Sequence, residues 1–217
     1  MKIELVSEVS IDGKITFGMG KSSKDLFNLM TEDDLKYIHS IRSKVDGILV
    51  GMNTIRNDNS SLTCRYVKGK NPIRLIPSNS LELRDDFNIL NDGYKTIILT
   101  TEKNRDRSEK YKSYTNVDVI FAGEDSVDFE KAFEILETEY DIHSIMLEGG
   151  GTLNWTLIQK DMVDELVVLR LPIIIGGRNN VSLVDGEGFK HFKASKKYNL
   201  KGLEFRNGIV VERYEVA

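Results

Sequence analysis

Cysteine is almost missing from this chain of 217 residues. Cys64 stands alone, which excludes an intrachain disulfide, a Cys-rich zinc site and a CxxC redox pair. A reducing, cytoplasmic setting is expected. Proline is scarce too (Pro72, Pro77 and Pro172), and no Ser/Gly-rich or single-sign stretch divides two compositions, so no linker, repeat or low-complexity segment is expected. Residues 1–217 read as a single domain. Nowhere do about eighteen apolar residues run together, and Met1 to Val6 alternates like a strand, so neither a membrane span nor a targeting segment is expected. An excess of positive charge is also lacking: Lys plus Arg number 30 against 34 Asp plus Glu, for a net charge of −4, which argues against nucleic acid as a partner. The three histidines, His39, His143 and His191, have no partner at metal-ligand spacing, and no serine occupies a GxSxG elbow. Metal and acyl-transfer chemistry both recede.

What is present is a globular composition, 40% hydrophobic and 29% charged, with strand-like and helical patterns in alternation. Strand runs are expected at Ile3–Val9, Val45–Val50, Ile73–Ile76, Thr96–Thr100, Val117–Ala122, Ser144–Leu147 and Glu165–Ile175, with two more near the C-terminus. Several are continuously apolar, the mark of strands covered on both faces. Thr31-Glu32-Asp33-Asp34 forms a capping box ahead of Leu35, Ile38, Ile41 and Val45 at helical spacing, and further helices are expected over 128–140 and 152–162. The alternation predicts an α/β fold with a mixed, mainly parallel sheet and helices on both faces. Asn207-Gly208 between two alternating runs predicts an antiparallel hairpin at the end.

The chemistry-bearing segments lie where strands give way to helices. Leu147-Glu148-Gly149-Gly150-Gly151-Thr152 passes from a buried strand through three glycines into a helix, which brings backbone N–H groups and a positive helix end to one point suited to a diphosphate. Glycines serving only close strand–helix packing would look the same. Glu148 sits at a strand exit, where α/β sheets place ligands and where ion-paired residues also sit. A second exit, Val50-Gly51-Met52-Asn53-Thr54, sets Thr54 and Asp58 one helical turn apart, a hydroxyl and a carboxylate fit either for a ribose or for capping. Gly176-Gly177 reads as a turn, and Trp155 as core.

Read in order, Ser10-Ile11-Asp12-Gly13-Lys14, His39-Ser40-Ile41-Arg42, Asp46 to Gly51 with Thr54 and Asp58, and Leu62-Thr63-Cys64-Arg65 form a series. Asn71-Pro72-Ile73-Arg74, Glu148 to Trp155, Val163-Asp164-Glu165, Ile175-Gly176-Gly177 and Asp185-Gly186-Glu187-Gly188-Phe189 complete it. This ordered set resembles the riboflavin-biosynthesis reductase family, nearest its stand-alone archaeal members, over essentially the whole chain. The resemblance implies a dihydrofolate-reductase-like three-layer fold. It also implies an NADPH-dependent (or NADH-dependent) oxidoreductase that reduces the ribosylamino group of a phosphorylated pyrimidine to ribitylamine and leaves the pyrimidine ring unreduced.

The resemblance further assigns roles. Cofactor contacts fall on Thr54, Asp58, Gly149, Gly150, Gly151 and Thr152, and on Ser78 and Asn79 after the third strand. Substrate contacts fall on Lys14, Arg42, Arg65 and Glu148, with Glu148 and Lys14 as the catalytic pair and the two arginines as phosphate clamps. A homodimer built through the C-terminal strands and a cis Gly149–Gly150 peptide are implied as well. Two stretches depart from the family pattern: Pro77-Ser78-Asn79, where relatives often read Asp-Ser, and Gly18 to Asn28. The H-x-E and P-C-x-x-C signatures of a fused zinc deaminase are absent, which fits a reductase-only protein. A reductase of pterins or other imines, and a non-catalytic nucleotide-binding regulator, remain the alternatives.

Overall fold

A computed structural model describes residues 1–217. Nine strands make one sheet: β1 (Lys2–Ser10), β2 (Gly47–Val50), β3 (Ile73–Pro77), β4 (Thr96–Thr100), β5 (Val117–Phe121), β6 (Ser144–Gly149), β7 (Glu165–Leu171), β8 (Tyr198–Arg206) and β9 (Ile209–Val216). Their order in space is β5-β4-β3-β2-β6-β1-β7-β9-β8. The first seven run parallel, and β9 pairs antiparallel with both β7 and β8. The helices are α1 (Glu32–Arg42), α2 (Met52–Asp58), α3 (Asn88–Asn91), α4 (Arg105–Ser108), α5 (Phe129–Tyr140) and α6 (Gly151–Gln159), with a 3-10 turn at Ser23–Leu29.

The continuous apolar runs have a simple cause: successive side chains of a strand point to opposite faces, and both faces are covered. Leu49, Leu75, Ile97 and Leu147 pack under α5 and α6 with Phe133, Leu136 and Leu157. Their neighbours Ile48, Ile76 and Ile98 point the other way, against Met52 and Ile55 of α2 and Ile89 of α3. On that same face Val6, Met146, Val167 and Leu169 lie under Ile38 and Ile41 of α1. The expected α/β architecture is therefore present, as a three-layer fold with an antiparallel C-terminal hairpin.

Local chemistry sets the boundaries. Thr31 accepts from the Asp34 N–H at 3.3 Å while Asp34 accepts from the Thr31 N–H at 2.9 Å, the capping box expected at the start of α1. Asn207 and Gly208 turn the hairpin with φ of 44° and 88°, the left-handed pair that a two-residue turn matching strand twist requires. The expected strand Glu165–Ile175 stops at Leu171, because Pro172 has no N–H to continue the ladder. Asp12 instead gathers the segment beyond Pro172: its carboxylate accepts from Ser10 Oγ at 2.7 Å and from the N–H groups of Ile175 (3.0 Å) and Gly176 (2.7 Å). Those bonds, Ser10 first, lower its pKa to about 2.

The Gly149–Gly150 peptide is trans, contrary to the cis expectation. Chain reversal is achieved by a positive φ of 78° at Gly149 and a register shift against β2, where Leu49 faces Leu147 but Val50 faces Gly149.

Candidate active site

Two strand exits meet at the carboxyl end of the sheet. The Gly51 N–H, leaving β2, donates to the Gly149 carbonyl at the end of β6 at 2.8 Å. A Cβ at Gly51 would stand 3.4 Å from that oxygen, so small residues let the two turns touch. The three glycines after Glu148 have different surroundings. At Gly149 a side chain would meet Asn154, and at Gly151 it would collide with the Ser182 carbonyl at 2.5 Å. Gly150 is open, with only the Thr54 hydroxyl at 3.7 Å from a Cβ placed there.

Gly150 is also the N-cap of α6, and no side chain caps that helix. The N–H groups of residues 150 to 153 have no loop, turn or side-chain acceptor, which leaves the positive helix end free for an anion. One turn of α2 beyond Thr54, the Oδ1 atom of Asp58 is buried without a hydrogen-bond partner. Such an atom is costly unless something else supplies a donor. Thr54 thus approaches the Gly149-to-Thr152 loop directly, and Asp58 follows Thr54 by one turn of α2. Ser78 and Asn79 follow β3 at the same end of the sheet. Ser78 Oγ accepts from the Leu81 N–H at 3.1 Å and Asn79 Oδ1 from the Val127 N–H at 2.9 Å, so their acceptors hold loops while the hydroxyl proton and the amide NH₂ remain free.

Glu148 has a committed partner. Arg42, buried at the end of α1, donates from Nε (3.0 Å) and Nη2 (2.6 Å) to Glu148 Oε1, and from Nη1 to the Thr63 carbonyl at 2.8 Å. Arg42 therefore does not have the free fork expected of a phosphate clamp; its planar guanidinium is used to orient Glu148 and the Thr63 loop. Glu148 Oε2 is left open. Arg65 differs: its side chain is exposed and in no ion pair, while its N–H donates to Nδ1 of buried His39 at 3.0 Å. Burial first, then the charges of Arg42 and Arg65, lower the His39 pKa to about 4, so the ring is neutral at pH 7 and acts as an acceptor holding the Arg65 backbone.

Lys14 is likewise partly engaged. Its ammonium donates to the Asn180 carbonyl (3.0 Å) and to Ser182 Oγ (2.9 Å), which leaves one N–H for anything else. These bonds draw in the loop whose Asp185 N–H reaches the Gly151 carbonyl at 3.0 Å. Trp155 packs on Phe189 with ring centroids 4.8 Å apart, and Gly186 sits so close that a Cβ there would enter the indole. Trp155 is thus a half-buried packing residue against the loop that carries Gly186 and Phe189, and not the core residue expected. Two surface depressions, one at Leu81 to Arg84 and one beside Tyr37 and Asn207, include none of these groups.

Comparison with known proteins gives this constellation its setting. The profile of the RibD C-terminal domain matches residues 1–210. The chain belongs to the RibD C-terminal domain family. It is 45% identical over 214 residues to the 2,5-diamino-6-ribosylamino-4(3H)-pyrimidinone 5′-phosphate reductase of Aquifex aeolicus, covering 98% of this chain and 95% of that protein. A protein of the same name from Methanothermobacter thermautotrophicus is 33% identical over 201 residues, 91% of this chain and 89% of the relative. Among solved structures, riboflavin biosynthesis reductase Rib7 of Saccharomyces cerevisiae superposes with a TM-score of 0.72 at 24% identity, over 100% of this chain and 90% of the other. RibD of Acinetobacter baumannii superposes with a TM-score of 0.82 at 16% identity, over 100% of this chain and 58% of that one. At those identities the two structures speak for the fold alone.

Sequence reasoning singled out Glu148 and passed over a second carboxylate close enough to feel its charge. Glu8 lies on β1, the strand beside β6, and its pKa is raised to about 7, first by burial and then by the charge of Glu148. Its signal in the chain was weak, since Glu8 shares the strand run Ile3–Val9 with a second acidic residue, Glu4.

Proposed function

We propose that this protein reduces the ribosylamino group of 2,5-diamino-6-(ribosylamino)-4(3H)-pyrimidinone 5′-phosphate to the ribitylamino form in riboflavin biosynthesis, with NADPH as the preferred cofactor and NADH as an alternative. The observation that carries the reading is 45% identity along 95% of a relative bearing that enzyme's name. The residues fit a dinucleotide. Free N–H groups at the start of α6 and the open Gly150 suit a diphosphate, and the Thr54 hydroxyl beside Gly150, with Asp58 one turn further along α2, suits a ribose. When bound, the cofactor supplies hydride.

The chain's own groups supply position and charge. Arg65, exposed and unpaired, is the phosphate contact; Glu148, fixed by Arg42, presents Oε2 to the sugar or to a developing positive charge; Lys14 has one N–H for a ribityl hydroxyl. Turnover measured with the deaminated and undeaminated substrates, each with NADPH and NADH, tests the reading. Reduction of dihydrofolate with no reduction of the ribosylaminopyrimidine phosphate would overturn it.

The loop has its own test. A side chain at Gly150 fills open space and meets Thr54 at ordinary contact distance, so it displaces no neighbour while approach to the N–H groups is blocked. Gly150→Val is expected to raise the NADPH dissociation constant at least about tenfold, roughly 1.4 kcal/mol. Unchanged affinity in a folded variant would remove this loop as the diphosphate site.

The same reading includes a homodimer through the C-terminal strands. β8 is the edge of the sheet, and Leu203 and Phe205 on it are 67% and 78% exposed, an apolar edge that pairing with a second copy would cover. Sedimentation equilibrium at micromolar concentration is expected to give two chains per particle, and one chain per particle counts against this interface.

A further inference from the structure

Reduction of a C=N bond adds hydride to carbon and a proton to nitrogen, and the groups assigned above already carry other partners or roles. Glu148 Oε1 accepts two bonds from Arg42, and Lys14 has two of its three N–H groups engaged. Glu8 is different. It forms no side-chain bond to another residue and belongs to no ion pair, yet it stands half-buried near the carboxyl end of a central strand.

Register fixes where its side chain lies. Leu5 on β1 faces Leu147 on β6, the last pair of that ladder; carried one residue further, the register sets Glu148 near Val6, with Glu8 two residues beyond. At about 3.3 Å per residue and about 4.8 Å between strands, the two Cα atoms are roughly 8 Å apart on the diagonal. Val6 and Met146 both point to the face covered by Ile38 and Ile41 of α1, and Glu8 shares the face of Val6 by alternation. Glu148 is reached on that face by Arg42, the last residue of α1. On the other flank, Glu8 is opposite Leu169 of β7, which is apolar.

We propose that Glu8 is the proton donor of the reduction: its carboxyl gives a proton to the ribosylamine nitrogen as C1′ accepts hydride. The proposal rests on the ribosylaminopyrimidine phosphate being the substrate. The hydride pair, from reduced nicotinamide, forms the new C1′–H bond. The π pair of the C=N bond moves to nitrogen and becomes the N–H bond as the carboxyl O–H breaks. Glu8 is left as a carboxylate and regains its proton from water.

Two carboxyl groups with different environments on one face are the pattern by which a site keeps one acid protonated at neutral pH and the other as an acceptor. Here Arg42 binds Glu148 directly and acts on Glu8 only at a distance. Burial, with the charge of Glu148, raises the Glu8 pKa to about 7, and the backbone and Arg42 oppose this only in part; no other charged group contributes. A donor poised near the working pH is the most effective general acid.

The test is a pH–rate profile of wild type, Glu8→Gln and Glu8→Asp at saturating NADPH and substrate, with thermal unfolding of each from pH 5 to pH 8. A donor acts only when protonated, so wild-type kcat is expected to be level on the acid side and to fall tenfold per pH unit above about 7. Glu8→Gln is expected to lower kcat by about 10²-fold or more, to lose the alkaline limb and to leave KM within about threefold. Because the folded pKa lies above the unfolded one, Glu8 contributes stability at low pH that is lost as pH rises through about 7. Wild type should therefore lose Tm relative to Glu8→Gln between pH 5 and pH 8. If Glu8→Gln does not fold, Glu8→Asp decides: kcat lowered at least about tenfold or a displaced limb supports the role. A folded variant with wild-type kcat and an unmoved limb overturns the proposal alone. Wild type that binds the substrate and never reduces it overturns the substrate reading and this proposal with it.

Discussion

Glu148→Gln is expected to lower kcat by about 10²-fold, while Arg65→Ala raises KM and leaves kcat nearly unchanged. The contrast arises from the surroundings of each group. Arg65 is an exposed cation, and a contact with the substrate phosphate is the same in the ground state and the transition state, so its loss is a loss of uniform binding. Glu148 is held in series, Oε1 by Arg42 and Arg42 by the Thr63 carbonyl, so its free Oε2 is fixed before substrate arrives. A preorganised carboxylate beside a C=N group that becomes positive as its nitrogen is protonated stabilises a charge that the neutral ground state lacks.

Arg42 limits that effect, since a guanidinium 2.6 Å from Oε1 offsets part of the field of the carboxylate. It also complicates the variant. Gln can still accept from Arg42, but it leaves a buried cation without its counter-charge, and breaking a buried pair by removing one partner costs about 3–5 kcal/mol. Stability and steady-state kinetics must therefore be measured on the same preparation. A folded Glu148→Gln enzyme with normal kcat at saturating substrate would show that Glu148 positions the substrate and does no more.

Arg74→Met is expected to be the most destabilising single change in the scaffold, by about 3–5 kcal/mol. Arg74 is 0% exposed, in β3. Its guanidinium forks onto Asp92 at 2.7 and 2.8 Å and also donates to the carbonyls of Ser61 (3.2 Å), Ile89 (3.3 Å) and Tyr94. One side chain thus joins the loop after α2, the short helix α3 and the turn before β4. Met matches the aliphatic stem and takes one donor from each of four acceptor groups: Ile89 keeps the Thr96 hydroxyl, Tyr94 the Asn116 amide and Asp92 the Tyr94 N–H, while the Ser61 carbonyl loses its side-chain donor altogether. Asp92 keeps some access to water, which places the cost toward the lower end of the range. Urea unfolding at constant m-value measures it, and Arg74→Met with Asp92→Asn should recover part of the loss because the stranded carboxylate is gone. A midpoint shift worth less than about 1 kcal/mol would show that the cluster is dispensable.

Most of the architecture was legible in the chain because it depends on local and periodic signals. Continuous apolar runs marked strands covered on both faces, Thr31 and Asp34 marked the start of α1, and Asn207-Gly208 marked the hairpin. Strand and helix exits carrying Glu148, Gly150, Thr54 and Asp58 could also be read, since a glycine between a buried strand and a helix is visible in one dimension. Partnership was not. That Arg42 is spent on Glu148, 106 residues away, and that Lys14 reaches Ser182, 168 residues away, are consequences of strand order, which places β6 between β2 and β1. The three glycines after Glu148 look alike in sequence, and only their neighbours separate the open Gly150 from the crowded Gly149 and Gly151. Glu8 shows the same division. Alternation put it on one face of β1, but its raised pKa arises from burial and from a second carboxylate across the ladder, and both exist only once β1 and β6 lie side by side.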